Sequence, residues 1–207
     1  MNKTVTLVNL WAEYEDKHPD ASIDDFCRFY IRTKKAKQEK EEFLGGIVPP
    51  DLHSTIAKLI GRISKLHTTY AVIALKECGL NSLDEFLYLN SIGNSATPKK
   101  TEVIYGNFNE LSSGLLILDR LKSKGLIVEE DNPEDRRSKQ LKLSKKGRTV
   151  LEDCYKKMAV INRLFFEDIP REDIELCIHL LSSLEAGFSS RWLEDKGKSF
   201  SALTEKK

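Results

Sequence analysis

Apolar residues recur at helical spacing along most of this chain and alternate with polar ones in only one short region. Val5, Val8 and Trp11, with Leu7, Leu10 and Tyr14 alongside, predict a helix over 4–17 that His18-Pro19-Asp20 breaks. Ser22-Ile23-Asp24-Asp25 approximates a capping box with Asp in place of the preferred Glu. It opens a predicted helix at 23–40 that buries Phe26, Phe29 and Tyr30. The charge run from Thr33 to Glu42 reads as the solvated end of that helix, and Gly45-Gly46-Ile47-Val48-Pro49-Pro50 as a linker or sharp turn. Asp51 is placed to cap a long helix in which Leu52, Ile56, Leu59, Ile60, Ile63, Leu66, Tyr70 and Ile73 recur until Gly79. At the α-helical rise it reaches about 40 Å, more than one small core requires. Gly61 inside it suggests a close helix crossing. Ser82-Leu83-Asp84-Glu85 is a capping box opening a helix that ends near Gly93. Further helices are predicted from Lys145 to Asp168 and from about Arg171 to Asp195, followed by a polar, frayed tail from Lys196.

The rest of the chain is arranged around Thr97 to Arg148. Thr97 is expected to cap a short helix with Pro98 in its first position, and Val103 and Ile104 supply its buried face. Gly106-Asn107 tolerates positive φ and is expected to make the turn, with Phe108 plugging the angle between this helix and the next. Asn109, Ser112 or Ser113 is then available as a cap. Ile117, Leu118 and Leu121, with Leu111 or Gly114 a turn earlier, form the buried stripe of the second helix, leaving Ser112, Ser113, Leu116 and Arg120 opposite. Gly125 stops it, with Lys122 and Lys124 in its last turn. Leu126-Ile127-Val128 and Gln140-Leu141-Lys142-Leu143 read as the strands of a hairpin. Asn132-Pro133-Glu134-Asp135 provides turn chemistry, and Arg136, Arg137 and Lys139 are cations at its tip. Two short helices, a glycine stop and a basic hairpin make a winged helix-turn-helix.

Charge separates a reading head from a mere packing unit. The whole chain carries a formal charge of +1, yet residues 97–148 hold 12 Lys and Arg against 8 Asp and Glu. At 207 residues, 40% hydrophobic and 31% charged, the profile is that of a soluble globular protein. No apolar run approaches the roughly 20 residues of a membrane span, and the N-terminus lacks a signal-peptide pattern. Cys27, Cys78, Cys154 and Cys177 show no close pairing, so zinc is not expected and a reduced, cytoplasmic compartment is. Each cysteine reads as a buried structural residue in preference to an oxidant sensor. His18, His53, His67 and His179 have no metal-ligand spacing.

Asp135-Arg136-Arg137-Ser138-Lys139, followed by Leu141-Lys142-Leu143-Ser144-Lys145-Lys146-Gly147, resembles the wing signature of the MarR (multiple-antibiotic-resistance regulator) family, Asp-x-Arg-Ser and then Leu-Thr-x-x-Gly. Arg120-Leu121-Lys122-Ser123-Lys124-Gly125-Leu126-Ile127 is similar to that family's exit from the recognition helix. The similarity spans about Asp51 to Trp192, with its specific motifs within 111–147. It implies that Arg137 enters the minor groove and that Asp135 holds the wing in shape. It also implies a mainly α fold with a small β wing, a winged helix-turn-helix domain on a helical dimerisation body. Where the family shows a polar residue and an arginine, this chain has Leu115 and Leu116. Such side chains can read a thymine methyl but cannot make the bidentate contact to guanine.

The resulting division is an N-terminal helical extension (1–48), a dimerisation helix (51–78), the winged helix-turn-helix (79–147), C-terminal dimerisation helices (148–195) and a polar tail (196–207). The expected function is that of a homodimeric transcriptional regulator binding pseudo-palindromic duplex DNA. Its DNA-binding set is Thr97, Lys99, Lys100, Ser112, Ser113, Leu116, Arg120, Arg136, Arg137, Ser138 and Lys139. The resemblance further implies a small aromatic effector, for which Tyr70, Phe86 and Tyr88 are the candidates by position. The competing reading is a winged-helix adaptor that binds protein without sequence-specific DNA reading, supported by Leu115 and Leu116. No nucleophile elbow, phosphate-binding glycine loop or metal triad suggests an enzyme, and no cofactor is expected. The N-terminal helices, through Trp11, Phe26 and Phe29, are expected to dock on the dimer body.

Overall fold

The computed structural model describes residues 2–36, 49–131 and 139–205. The charge run beyond Ala36, most of the predicted linker and the tip of the wing lie outside the described residues. The chain divides into two units, Met1–Gly61 and Arg62–Lys207.

In the first unit, helices α1 (Lys3–Glu15) and α2 (Ile23–Ala36) form where periodicity places them. Asn2 caps α1 by accepting the Thr4 N–H at 3.0 Å. The Ser22–Asp25 box closes with Asp in the role of Glu. The Ser22 hydroxyl accepts the Asp25 N–H at 3.2 Å, and the Asp25 carboxylate accepts the Ser22 N–H at 3.0 Å and its hydroxyl at 2.6 Å. These bonds hold the Asp25 carboxyl below its usual range. The aromatic residues satisfy one another. Trp11 meets Phe26 edge-on at 5.1 Å, Tyr14 stacks on Phe29 at 4.7 Å, and Phe26 is buried.

Helix α3 (Leu52–Glu77) begins behind Asp51, whose carboxylate accepts the Ser54 N–H at 2.9 Å. It stops at Gly79, where φ is +79°. A Cβ added at Gly61 would meet nothing within 4 Å, so the expected close crossing is not made among the described residues. After α3 come α4 (Leu83–Gly93), α5 (Lys100–Gly106), α6 (Leu111–Ser123), strands β1 (Ile127–Asp131) and β2 (Lys139–Leu143), then α7 (Lys145–Phe166) and α8 (Arg171–Asp195). The strands pair antiparallel from Ile127 opposite Leu143 to Asp131 opposite Lys139. The core of this second unit centres on Leu75, Leu80, Tyr88, Leu89, Ile104, Leu121, Leu141 and Cys154, all fully buried.

The tail is not wholly frayed. Ser199 accepts the Ala202 N–H and starts a short helix, α9 (Phe200–Thr204). The cysteines also depart from expectation: Cys154 is buried and Cys78 partly so, but Cys27 and Cys177 are exposed on α2 and α8. Burial pushes the Cys154 thiol up to about 12. Helix α8 buries no residue at all, and leaves Ile178, Leu180, Leu181, Leu184, Phe188 and Leu193 open to solvent. Along α3, Ile56, Ile60, Ile63, Leu66, Tyr70 and Ile73 are likewise exposed. Such extensive apolar surface is unusual for a solitary soluble domain. Among the described residues, no helix is long and apolar enough to cross a membrane.

Candidate nucleic-acid interface

Helix α6 is fixed by one face and bare on the other. Gly114, Ile117, Leu118 and Leu121 are buried, whereas Ser112, Ser113, Leu116 and Arg120 face outward, as the 3.6-residue period requires. Leu116 is 63% exposed. Leu111, at 42% exposure, does not join the buried stripe, and Gly114 takes the inner position against Ile104 and Tyr88. The helix ends at Gly125, whose φ of +70° favours a residue without Cβ. Gly147 is required for space. A Cβ there would overlap the Leu126 carbonyl oxygen, so only glycine lets the first turn of α7 lie against the start of the wing.

The start of α5 and its turn into α6 differ in their details from expectation. Thr97 is exposed and is not the cap. The helix begins at Lys100, and the Lys99 N–H donates to Glu102 Oε2 at 2.9 Å. The cause is a long-range pairing: the Leu141 N–H donates to the Pro98 carbonyl at 2.9 Å, and Lys99 bridges to Gln140. That pairing holds Pro98-Lys99 against β2, with Lys99 extended and Thr97 in the bend before it. Gly106 stays in the helix, and Phe108 itself adopts φ of +56°. Phe108 is therefore half exposed and does not plug the angle. Its ring meets Trp192 of α8 edge-on at 6.2 Å. Glu110 occupies the N-cap of α6 without a side-chain bond, so Asn109, Ser112 and Ser113 are not caps.

Two carboxylates organise the cations around α6. Glu85, fully buried, receives Lys124 Nζ at 2.7 Å and the Arg120 Nε at 3.5 Å, and accepts the Asn81 N–H at 2.8 Å. The reach to Asn81, one residue before Ser82, completes the α4 cap; Ser82 accepts the Glu85 N–H at 3.2 Å. Lys124 also donates to the Gly79 carbonyl at 2.9 Å, joining the ends of α3 and α6. Glu129 on β1 receives Lys122 at 3.0 Å and Lys100 at 3.1 Å. Burial raises its carboxyl, but hydrogen bonds and charge from Lys122 and Lys100 outweigh that and hold it below the usual range. Each acid is outnumbered by its cations, so both clusters keep a positive surplus. Sequence reasoning reads Glu85 only as a cap. The signal for more is Arg120 and Lys124, one helical turn apart and both in need of an acid.

The remaining expected contacts are dispersed. Lys139 pairs with Asp131 across the hairpin. Lys99 is exposed with no charged partner among the described residues, as are Lys145 and Arg148 at the start of α7. Asp135, Arg136, Arg137 and Ser138 lie outside the described residues. Phe86 and Tyr88 are core residues, while Tyr70 is half exposed with its ring edge-on to Phe165 at 5.3 Å. None of the three lines the open polar cleft of about 460 Å³ between the end of α4 and α5, where Asn90, Asn94, Thr97 and Glu102 lie.

Helix, turn, outward-facing helix and hairpin define a winged helix-turn-helix. No protein-family model matches the chain, and no curated protein matches it. Solved structures of MarR-family transcriptional regulators share its fold. One from Rhodococcus sp. RHA1 is 22% identical, with a TM-score of 0.59 over 66% of this chain and 96% of that one. CouR from Rhodococcus jostii RHA1, bound to p-coumaroyl-CoA, is 23% identical, with a TM-score of 0.58 over 66% and 95%. A mutant MarR from E. coli complexed with operator DNA is 22% identical, with a TM-score of 0.59 over 65% and 98%.

Proposed function

We propose that this chain is a MarR-like transcriptional regulator that binds duplex DNA as a homodimer. The observation that carries the reading is the setting of α6. Its inner face is locked by Gly114, Ile117, Leu118 and Leu121, and its outer face stands bare beside two cation clusters, each with surplus positive charge. That is what insertion into a major groove between two phosphate rows asks of a helix. The operator-bound neighbour supports DNA as the partner. Exposed apolar rows on α3 and α8 support a second copy as the other partner. A two-fold dimer would read a pseudo-palindrome whose half-sites lie about one helical turn, or a multiple, apart. In this reading Arg137 supplies a minor-groove contact and Asp135 shapes the wing.

Control by a small aromatic ligand belongs to the same proposal and is supported by the neighbour that holds p-coumaroyl-CoA. Tyr70, which offers an exposed ring on α3, is the candidate from the expected set, because Phe86 and Tyr88 are occupied in the core. Selection of bound sequences from a random duplex pool tests the proposal. An inverted repeat is the expected result, and enrichment of no sequence would favour the winged-helix adaptor instead.

A further inference from the structure

We infer that Leu116 is the base-reading residue of α6 and that it selects thymine through its 5-methyl group. This rests on the DNA-binding reading and narrows what the helix recognises. The helix has two cations on or beside its outer face, and both are drawn back to the protein: Arg120 to Glu85 and Lys122 to Glu129. The groups left without a hydrogen bond or ion pair on the exposed side, among the described residues, include the hydroxyls of Ser112 and Ser113, the carboxylate of Asp119 and the side chains of Leu115, 37% exposed, and Leu116, 63% exposed. Leu116 lies nearly opposite the buried Leu121 and Gly114 in helical angle, which puts it at the centre of the outward surface. Ser112 is one turn before it, in the first turn, where recognition helices come nearest to base edges.

A leucine at that place has no donor for guanine N7 and O6 and no amide for adenine. What the major groove offers an isobutyl group is the thymine methyl. The flanking charge fits the same occupant. The surplus on the Glu85 and Glu129 clusters, with Lys99, Lys145 and Arg148, matches phosphate on either side, so orientation would come from the backbone and selectivity from an apolar contact. A partner protein that buried Leu116 would have to bury this positive rim against acidic residues of its own.

The test uses the full-length chain and the duplex enriched from a random pool, with each thymine replaced in turn by deoxyuridine, which pairs identically but lacks the methyl. At one thymine in each half-site, the substitution should weaken binding about fourfold, the loss corresponding to one apolar carbon removed from a buried contact. Deoxyuridine elsewhere should leave affinity unchanged. Leu116→Ala should bind thymine and deoxyuridine duplexes alike at that site while keeping the parent's salt dependence on random DNA, which reports the phosphate contacts alone. Binding of the parent that is indifferent to deoxyuridine at every position overturns this inference and leaves the DNA-binding reading standing. So does a Leu116→Ala chain that keeps the parent's discrimination. A parent that binds no duplex at low salt overturns both.

Discussion

Replacing Glu85 should expose a trade between stability and DNA affinity. Its carboxylate is fully buried and holds Lys124 at 2.7 Å, Arg120 at 3.5 Å and the Asn81 N–H at 2.8 Å. Removing one partner of a buried charge pair costs about 3–5 kcal/mol when both are enclosed. Here the partners reach solvent, with Lys124 25% and Arg120 54% exposed, so their charges regain water when the acid is gone. Glu85→Ala is therefore expected to cost less, about 2–3 kcal/mol, much of it from the orphaned Asn81 N–H and the small cavity. Glu85→Gln keeps an acceptor for Asn81 and should cost about 1–2 kcal/mol. At roughly 3 °C per kcal/mol for a domain of this size, melting followed by circular dichroism should fall by about 3–6 °C. The same variant frees Arg120, which lies one turn beyond Leu116 on the outward face. Fluorescence-anisotropy titrations should then show tighter binding to random duplex and a slope of log affinity against log salt steeper by about 0.9 per phosphate newly engaged in each subunit. A Glu85→Gln chain with unchanged melting and unchanged slope would refute the idea that this carboxylate restrains the cations.

Other expected outcomes follow from different parts of the molecule. Gly147→Ala should destabilise the fold by about 3 kcal/mol, since the added methyl overlaps the Leu126 carbonyl; melting equal to the parent's would contradict that packing. Arg137→Ala should weaken binding across many sequences and lessen the salt slope by about 0.9 for every phosphate that each subunit ceases to neutralise, with melting unaltered. Sedimentation at micromolar concentration should find a dimer, and a chain truncated after Gly147 should neither dimerise nor express in soluble form; a stable folded monomer of the full chain is the opposing result. Glu129 is depressed, so its contribution to stability is full above the unfolded carboxyl range and is lost as pH falls below about 4.5. Glu129→Gln should flatten that acid limb of the stability profile. In maleimide labelling of the native protein, Cys154 should react only on unfolding, because it is buried and its thiolate is disfavoured.

What is legible in the sequence is local, and what it conceals is long-range. The caps at Asp51 and Ser82 and the stops at Gly79 and Gly125 each depend on a side chain and a few backbone groups nearby, so residue type alone announces them. The buried stripe of α6 is legible for the same reason, since helical period fixes which residues share a face. Thr97 has the residue type of a cap, yet the segment around it is held by Leu141, more than forty residues on, through the Pro98 carbonyl. Phe108 is large and apolar, which points it inward. The structure instead gives it the left-handed backbone conformation and half exposes it against Trp192, a pairing with no local signature. Among the expected DNA contacts, Lys100, Arg120 and Lys139 are held by carboxylates. Whether a surface cation is spoken for depends on which acid the fold brings to it.

The measurement that bears most on DNA binding by this chain is titration of the full-length protein against a labelled random-sequence duplex across about 50 to 200 mM salt. Binding at low salt that falls by orders of magnitude over that range is the predicted result, because the two cation clusters and the start of α7 would each release counterions from the phosphates. A chain that shows no binding at the lowest salt, or binding that ignores salt, is not held to duplex DNA by these cations.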